Sequence, residues 1–214
     1  MCSQQNLEIL YLEPSFAVVN KPGGMLAVPG RGADKQDCVV TRLQKKVSEC
    51  ITQPAVHRLD MATSGLMVLG LTRTAHRHLS LQFENRTVIK RYVAVVDGLV
   101  DAEAGRIELA FRLDPDNRPH QVYDPECGKL GVTKWRVLQR FQQRTKIEFF
   151  PATGRTHQLR LHSSHSKGLG HPIVGDSLYG DGHRGDQMLL HATGLQFVHP
   201  ETDRVLCFFS APPF

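Results

Sequence analysis

Asp60 is the residue whose surroundings best suit a chemical role. Arg58 stands two positions before it, and a predicted turn at 63–65 leads from it into the apolar run at 66–71. Loops at strand ends carry active sites more often than strand interiors do, so Asp60 is a candidate for the chemical step. The same spacing is also explained by an acid that caps the turn while Arg58 pairs with a surface carboxylate.

A second candidate is the segment 153–162, in which a glycine turn precedes a predicted helix. On that helix Arg155, Leu159 and His162 would share one face, at spacings of four and three. An arginine at a helix start is poorly placed for the macrodipole, which favours anions there. We therefore predict a role for Arg155 beyond helix stability, with a plain surface arginine as the alternative.

Other kinds of chemistry find less support in the sequence. Eleven histidines invite a metal site, yet none stands in a His-Glu-x-x-His pattern or beside a carboxylate at ligand spacing. The sequence has neither a Gly-x-Gly-x-x-Gly pattern that opens a helix after a strand nor a Gly-x-x-x-x-Gly-Lys-Ser/Thr pattern. A nucleotide cofactor is therefore unsupported. The segment 60–63 faintly resembles the nucleophile loop of a phosphatase, but the second acid that would donate a proton is missing.

Two helices are predicted among the elements that must position these residues. One covers 74–83, where Ala75, Leu79 and Phe83 recur every fourth position. A weaker pattern with a basic face covers 39–47. Turn residues are concentrated in the segments 21–24, 63–65, 114–119 and 180–186, of which the last two are polar loops that could face a substrate.

Strands are predicted to outweigh helices. The arrangement of strands in groups, with helices interspersed, favours an α+β fold with a mixed sheet over a doubly wound parallel sheet. The predicted strands are residues 7–11, 16–20, 66–71, 91–96, 107–111, 132–138, 146–150 and 205–209.

The composition fits one globular protein of ordinary size. Its 214 residues are interpreted as a single domain, 1–214, with a compact pair of half-domains as the open alternative. A net charge of +5, spread along the chain, allows a nucleic-acid partner without requiring one.

No run approaches the roughly 20 apolar residues of a membrane span, and residues 1–6 do not begin a signal peptide. Five scattered cysteines suggest neither disulfides nor zinc, so we expect a soluble, cytoplasmic protein.

Four segments, in this order, make the chain resemble the RluA family of pseudouridine synthases. The segment 57–65 (His-Arg-Leu-Asp-Met-Ala-Thr-Ser-Gly) is similar to the catalytic signature of that family, and 90–94 (Lys-Arg-Tyr-Val-Ala) to its tyrosine-bearing strand. The segment 154–160 (Gly-Arg-Thr-His-Gln-Leu-Arg) is similar to its arginine-bearing helix, and 171–180 to its downstream loop. The likeness runs over nearly the whole chain, and four motifs in the family's order make it specific.

The resemblance implies an isomerase that acts on uridine within RNA. Such an enzyme cuts the N1–C1′ glycosidic bond, turns the uracil and rejoins it through C5, without a cofactor or a metal. By resemblance, Asp60 is the essential carboxylate, acting either as a nucleophile or as a proton-abstracting base. Arg155 would keep Asp60 ionised, since a nearby cation favours the charged form of a carboxylate. The two residues should therefore lie within ion-pair reach.

The resemblance also assigns residues to the substrate. By resemblance, Tyr92 would stack on the base or take a proton. The helix face predicted to be shared with Arg155 adds Leu159 as an apolar wall for the detached uracil. Extruding a stacked uridine costs a few kcal/mol, and Arg58 could fill the vacated space or clamp a phosphate. The alternative is a structural pairing of Arg58 that positions the loop. The remaining predicted substrate contacts are His57, Leu59 and Thr63.

Two features separate the chain from particular relatives. The length leaves no room for the additional N-terminal S4 RNA-binding domain that many relatives have, so we expect the short form, which recognises RNA by its own surface. The stretch 163–169 is longer than in some members, which prevents transfer of a particular target site.

The sequence thus predicts an α+β domain with a mixed, largely antiparallel sheet, flanking helices and a central basic cleft for RNA. The expected substrate is a stem-loop of large-subunit ribosomal RNA, transfer RNA or both, and we expect a monomer. The main alternative is a catalytically silent RNA-binding or RNA-remodelling protein that uses the same cleft. The presence of Asp60, Tyr92 and Arg155 argues against it. A small-molecule glycoside hydrolase or phosphatase would need a second acid near Asp60.

Overall fold

The computed structural model describes residues 6–183 and 185–214. Cys2, most of the N-terminal segment and Arg184 of the predicted loop 180–186 lie outside the described residues. The chain divides into two compact units, Met1–Lys90 with His191–Pro213, and Arg91–Leu190 with Phe214. No described helix is both long enough and apolar enough to cross a membrane.

Strands dominate the described secondary structure. In chain order the strands are β1 (Glu8–Leu12), β2 (Phe16–Lys21), β3 (Ser64–Gly70), β4 (Ile89–Asp97), β5 (Ala104–Leu113), β6 (Gln121–Tyr123), β7 (Lys129–Arg140), β8 (Arg144–Pro151), β9 (Leu190–Val198) and β10 (Val205–Phe209). The helices are α1 (Val39–Gln44), α2 (Arg73–Glu84) and α3 (Gln158–Ser164), with a 3-10 turn at Ala33–Lys35.

In the first unit the strands lie in the order β1-β2-β3-β9, with β10 paired to β9. The β3–β9 pairing is parallel and the others are antiparallel. Thr72 caps the start of α2, and its hydroxyl accepts a hydrogen bond from the Ala75 N–H at 3.2 Å. Its apolar face packs on the sheet in one core cluster. That cluster contains Phe16, Val18, Leu66, Val68, Leu79, Val88, Leu195 and Phe197.

In the second unit the order is β4-β8-β7-β5-β6, with antiparallel neighbours. Along β5 the residues Ile107, Leu109 and Phe111 are buried, while Glu108 between them is exposed. Along β8, Ile147 and Phe149 are fully buried. This period of two places one face of each strand in the core. The mixed, largely antiparallel α+β fold predicted from the sequence is therefore confirmed.

One turn differs from the prediction. The chain turns at Met61 and Ala62, and Ser64 and Gly65 already belong to β3. Gly65 has a φ of 114°, and a Cβ atom there would collide with the backbone of Ala192 on β9. The glycine thus serves the close β3–β9 pairing, so the turn predicted at 63–65 is wrong by about two residues.

His162 is a fully buried histidine of α3 whose two ring nitrogens find no hydrogen-bond partner among the described residues. Its ring meets that of Phe111 edge-on, with 5.8 Å between centroids. Burial lowers the pKa of His162 from 6.5 to about 4. The ring is therefore neutral in the folded protein, and protonation favours the unfolded chain.

This burial predicts a loss of stability in acid. Between about pH 4 and 6.5 the unfolded chain binds the proton that folded His162 refuses, so stability is full above pH 6.5 and falls towards pH 4. We expect His162→Met to reduce the loss between pH 6 and pH 5 by about 1 kcal/mol, measured by urea unfolding at each pH. His183→Met, at an exposed position, is the control. An unchanged pH slope in His162→Met would contradict the prediction.

Candidate active site

The turn that carries Asp60 is held by a buried lysine at the end of β2. The Lys21 side chain is 0% exposed, and its Nζ donates to the carbonyl oxygens of Pro22 (3.0 Å), Met25 (2.8 Å) and Met61 (3.0 Å). The Gly24 N–H donates to the same Met61 oxygen at 2.8 Å. Lys21 therefore ties the residue after Asp60 to the turn that follows β2.

Lys21 also interacts with the charge of Asp60. Burial lowers the pKa of Lys21 to about 7, and the negative charge of Asp60 acts against this shift. Asp60 itself is partly exposed, and its carbonyl oxygen accepts the Thr63 N–H at 3.1 Å to close the turn. From the sequence, residues 21–24 are predicted only as a turn, and the role of Lys21 is not predicted. The lysine beside two glycines, at the end of an apolar strand, was the available signal.

The neighbours of Asp60 occupy different environments. Arg58 is exposed, whereas Leu59 and Thr63 are buried. The Nε2 atom of His57 accepts the Val68 N–H at 3.1 Å, and its ring stacks on Phe83 with 4.3 Å between centroids. Burial, with a smaller effect of the Lys90 charge, lowers the pKa of His57 to about 3. The neutral ring fastens this segment to β3, and contact of His57 with substrate stays a prediction.

Buried side-chain hydrogen bonds hold the start of β3 in place. The Ser64 hydroxyl lies 2.8 Å from His191 Nδ1, and the Ser210 hydroxyl lies 3.0 Å from His191 Nε2. Burial lowers the pKa of His191 to about 4, although a hydrogen bond with Ser210 opposes this. These contacts are not predicted from the sequence, because the paired residues stand 127 and 19 positions apart.

Arg155 precedes helix α3 rather than starting it. The helix begins at Gln158, because His157 has a left-handed φ of 56° that breaks the helical path. The Gln158 side-chain oxygen accepts from the Arg155 N–H (3.0 Å) and from the Thr153 hydroxyl (2.7 Å). The prediction that Arg155 shares a helix face with Leu159 and His162 is therefore wrong. The argument that Arg155 is poorly placed for the helix macrodipole is wrong for the same reason, because Arg155 is not on the helix. Leu159 is on the helix and buried.

The loop nevertheless presents Arg155 in a fixed way. Its backbone is anchored by Gln158, whose Nε2 also donates to Thr133 Oγ1 at 2.9 Å and to the Val132 carbonyl at 3.1 Å on β7. The Nε atom of Arg155 is buried and meets no hydrogen-bond acceptor among the described residues. A buried donor without an acceptor is costly in a folded protein and often marks a functional group.

A buried ion pair connects α3 with the loop that follows it. Arg160 Nε and Nη2 donate to the two oxygens of Asp176 at 2.8 and 2.6 Å, and the side chains are 5% and 0% exposed. Asp176 Oδ1 also accepts the N–H groups of Leu178 and Tyr179. Burial would raise the pKa of Asp176, but the hydrogen bonds and charge of Arg160 and these N–H groups lower it overall.

Tyr179 extends this network towards Arg155. Its hydroxyl lies 2.9 Å from His157 Nδ1, and its ring lies under the guanidinium of Arg160 at 5.3 Å. The Gln121 N–H donates to the same hydroxyl at 2.7 Å. The segments 154–160 and 171–180 thus form one partly buried assembly around Arg155, which was not predicted from the sequence.

The predicted site residues fall into two sets. His57, Arg58, Leu59, Asp60 and Thr63 belong to the first unit, and they lie together because they are consecutive or nearly so. Tyr92 on β4, Arg155 and Leu159 belong to the second unit. The pairing of Asp60 with Arg155 stays a prediction. Among residues 6–183 and 185–214, no group of three or more histidine, cysteine or acidic side chains could hold a metal ion.

Comparison with known proteins gives the class to which this fold and these motifs belong. Residues 15–165 match the family described as RNA pseudouridylate synthase, and the chain belongs to that family. The chain is 40% identical over 212 residues to the dual-specificity RNA pseudouridine synthase RluA of Haemophilus influenzae and, equally, to that of Escherichia coli K12. In both cases 97% of this chain and 94% of the relative are covered.

Solved structures agree with this assignment. The human RNA Pseudouridylate Synthase Domain Containing 1 superposes with a TM-score of 0.80 at 30% identity, covering 100% of this chain and 86% of that one. The human RNA Pseudouridylate Synthase Domain Containing 4, at 23% identity and a TM-score of 0.75, shares the fold over 96% of this chain and 88% of its own. The protein is an RNA pseudouridine synthase and hence an isomerase, and a silent binding protein is not favoured.

Proposed function

We propose that this enzyme isomerises uridines in stem-loops of two RNA classes, large-subunit ribosomal RNA and transfer RNA, with Asp60 as its catalytic carboxylate. The support for two classes is that relatives sharing 40% of the sequence over nearly their full length are named dual-specificity enzymes. The proposed role of Asp60 is supported by the way Lys21 anchors its turn. Lys21 donates a hydrogen bond to the carbonyl of Met61, the residue after Asp60.

The reaction needs one ionised carboxylate and no added reactant. The N1–C1′ bond of the uridine breaks, a C5–C1′ bond forms, and the proton lost from C5 is balanced by a proton gained at N1. Asp60 acts on the ribose as a nucleophile or as a base, and both roles require the charged form at the start. Neither a metal nor an organic cofactor takes part in the proposed reaction.

We assign the remaining roles to residues of the second unit. Arg155 supplies the cation that keeps Asp60 ionised, and its buried Nε, without an acceptor among the described residues, is a donor available to that carboxylate or to substrate. Leu159 is the apolar wall for the detached uracil. Tyr92 stacks on the base or takes a proton, since its aromatic ring carries a hydroxyl group. Both units therefore act as one catalytic domain.

Arg58 offers a test of how the uridine is extracted. Its exposed side chain next to Asp60 suits a group that fills the space left in the RNA stack or clamps a phosphate. We expect Arg58→Ala to lower kcat/KM on a structured stem-loop by roughly 10- to 100-fold, the equivalent of a few kcal/mol of lost extrusion energy. On a short unstructured RNA with the same target uridine the loss should be several-fold smaller. Equal losses on both RNAs would contradict this role.

The two-class proposal is tested by mapping. Total RNA from cells lacking the enzyme is incubated with the purified protein, and new pseudouridines are located by sequencing after chemical labelling. New sites in both the large-subunit ribosomal RNA and a transfer RNA are expected. Sites confined to one class would overturn the dual substrate range but leave the activity intact. We further propose that the enzyme acts as a cytoplasmic monomer.

A further inference from the structure

A polar groove of about 740 Å³ lies beside α1, and none of its lining residues belongs to the predicted catalytic site. Its size is within the range of small-ligand sites, roughly 300–1,000 Å³, and every residue that lines it has a polar or charged side chain. Helix α1 and the residues after it contribute Thr41, Arg42, Lys45 and Lys46, and the segment before it contributes Gln36 and Asp37.

The charge of the groove is positive. Three of these side chains are cationic and one is a carboxylate. Arg42 holds Asp37 through two hydrogen bonds, both of 2.6 Å, and this pairing is the main cause of the lowered pKa of Asp37. Lys45 and Lys46 therefore supply the excess positive charge, and both are exposed. Exposed ammonium groups on a polar wall suit the phosphates of a nucleic-acid backbone.

The groove is held in shape before any ligand arrives. The Gln36 side chain donates to the carbonyls of Gly30 (3.1 Å) and Gly32 (2.7 Å), and the Thr41 hydroxyl donates to the Gln36 carbonyl at 2.8 Å. Lys46 Nζ donates to the Leu7 carbonyl at 3.1 Å. A wall already ordered in this way loses less conformational entropy on binding.

Hydrogen bonds connect α1 with the turn that carries Asp60. The Val39 N–H donates to the Leu26 carbonyl at 2.9 Å, and Leu26 forms a parallel bridge with Cys38. Two residues before Leu26, the Gly24 N–H donates to the carbonyl of Met61, the residue after Asp60. Backbone hydrogen bonds thus link the helix that lines the groove to the Asp60 turn within the same unit.

We infer that this groove binds phosphates of the RNA that flank the target uridine, with Lys45 as its main contact. The inference rests on the proposed function, because it extends the RNA surface beyond the base that reacts. Phosphate contacts fix the register of a protein on RNA without reading its sequence. Such a contact therefore suits an enzyme that accepts stem-loops from two RNA classes.

The test measures the affinity of a fluorescent RNA stem-loop that contains a mapped target, at several KCl concentrations. All variants carry Asp60→Asn so that the RNA is not modified during titration. We expect Lys45→Glu to weaken binding by about 3- to 10-fold near 100 mM KCl and to reduce the slope of log Kd against log[KCl] by about 0.7–0.9, as for one lost phosphate contact. Arg204→Glu, at an exposed position between β9 and β10, is the matched charge control.

Two outcomes separate the inference from the function on which it rests. Equal affinities and slopes for Lys45→Glu and Arg204→Glu would overturn the groove as a phosphate site, even with an active wild-type enzyme. Absence of new pseudouridines with the wild type would overturn the proposed function instead. A stable fold for Lys45→Glu is checked by its urea midpoint.

Discussion

Replacing Asp60 by asparagine is expected to lower the single-turnover rate of pseudouridine formation by roughly 10³-fold or more. Asparagine has nearly the same shape, so the turn closed by the Thr63 N–H and held by Lys21 should stay in place. What is lost is the charge that a nucleophile or base requires. The rate is measured with enzyme in excess over an RNA stem-loop that contains a mapped target.

Binding provides the internal control for Asp60→Asn. Its affinity for the same stem-loop should stay within about threefold of the wild type, since phosphate contacts supply much of RNA affinity. Asp101→Asn, which removes an exposed carboxylate, should retain the wild-type rate. A variant with Asp60→Asn that keeps more than a tenth of the activity would show that another group performs the chemical step.

Removing the Asp176 side chain is expected to destabilise the protein by about 3–5 kcal/mol, because Arg160 is then left charged, buried and unpaired. The N–H groups of Leu178 and Tyr179 also lose their acceptor. Because Tyr179 meets His157 next to the Arg155 loop, activity should fall as well. The free energy of unfolding of Asp176→Ala is measured by urea titration at pH 7.

An exposed ion pair on the same unit is the matched control. Arg144 and Asp97 lie 3.2 Å apart, with side chains that are 52% and 45% exposed. Asp97→Ala should therefore cost about 1 kcal/mol or less. If Asp176→Ala does not fold, Asp176→Asn keeps the acceptor for both N–H groups and isolates the lost charge. Equal costs for Asp176→Ala and Asp97→Ala would refute a structural role for the buried pair.

Much of the fold could be predicted from local patterns. All eight predicted strands correspond to observed ones, and α2 extends the predicted helix by a residue at each end. Strand β9 was missed, because His191, Thr193 and Gly194 interrupt its apolar pattern and its burial depends on neighbours distant in sequence. Strand β6 was missed because three residues are too few for a detectable period.

The site was predictable where its residues form contiguous motifs. The motifs identified Asp60 and Arg155, but the helix predicted to include Arg155 was wrong. No residue near His157 in the sequence signals its left-handed backbone conformation. Lys21 was missed because its three carbonyl partners include Met61, 40 residues away. A side chain that bonds only to backbone oxygens leaves no pattern of complementary residue types in the sequence.

The fate of the target uridine shows directly whether Asp60 drives an isomerisation within intact RNA. A stem-loop with a mapped target is treated with the enzyme, and its nucleosides and any released base are quantified. We expect one pseudouridine for each uridine lost, an unchanged RNA mass, and no conversion with Asp60→Asn. Free uracil and an abasic site would identify a glycoside hydrolase, and unconverted RNA bound by the wild type would identify a silent binding protein. Either result would contradict the proposed role of Asp60.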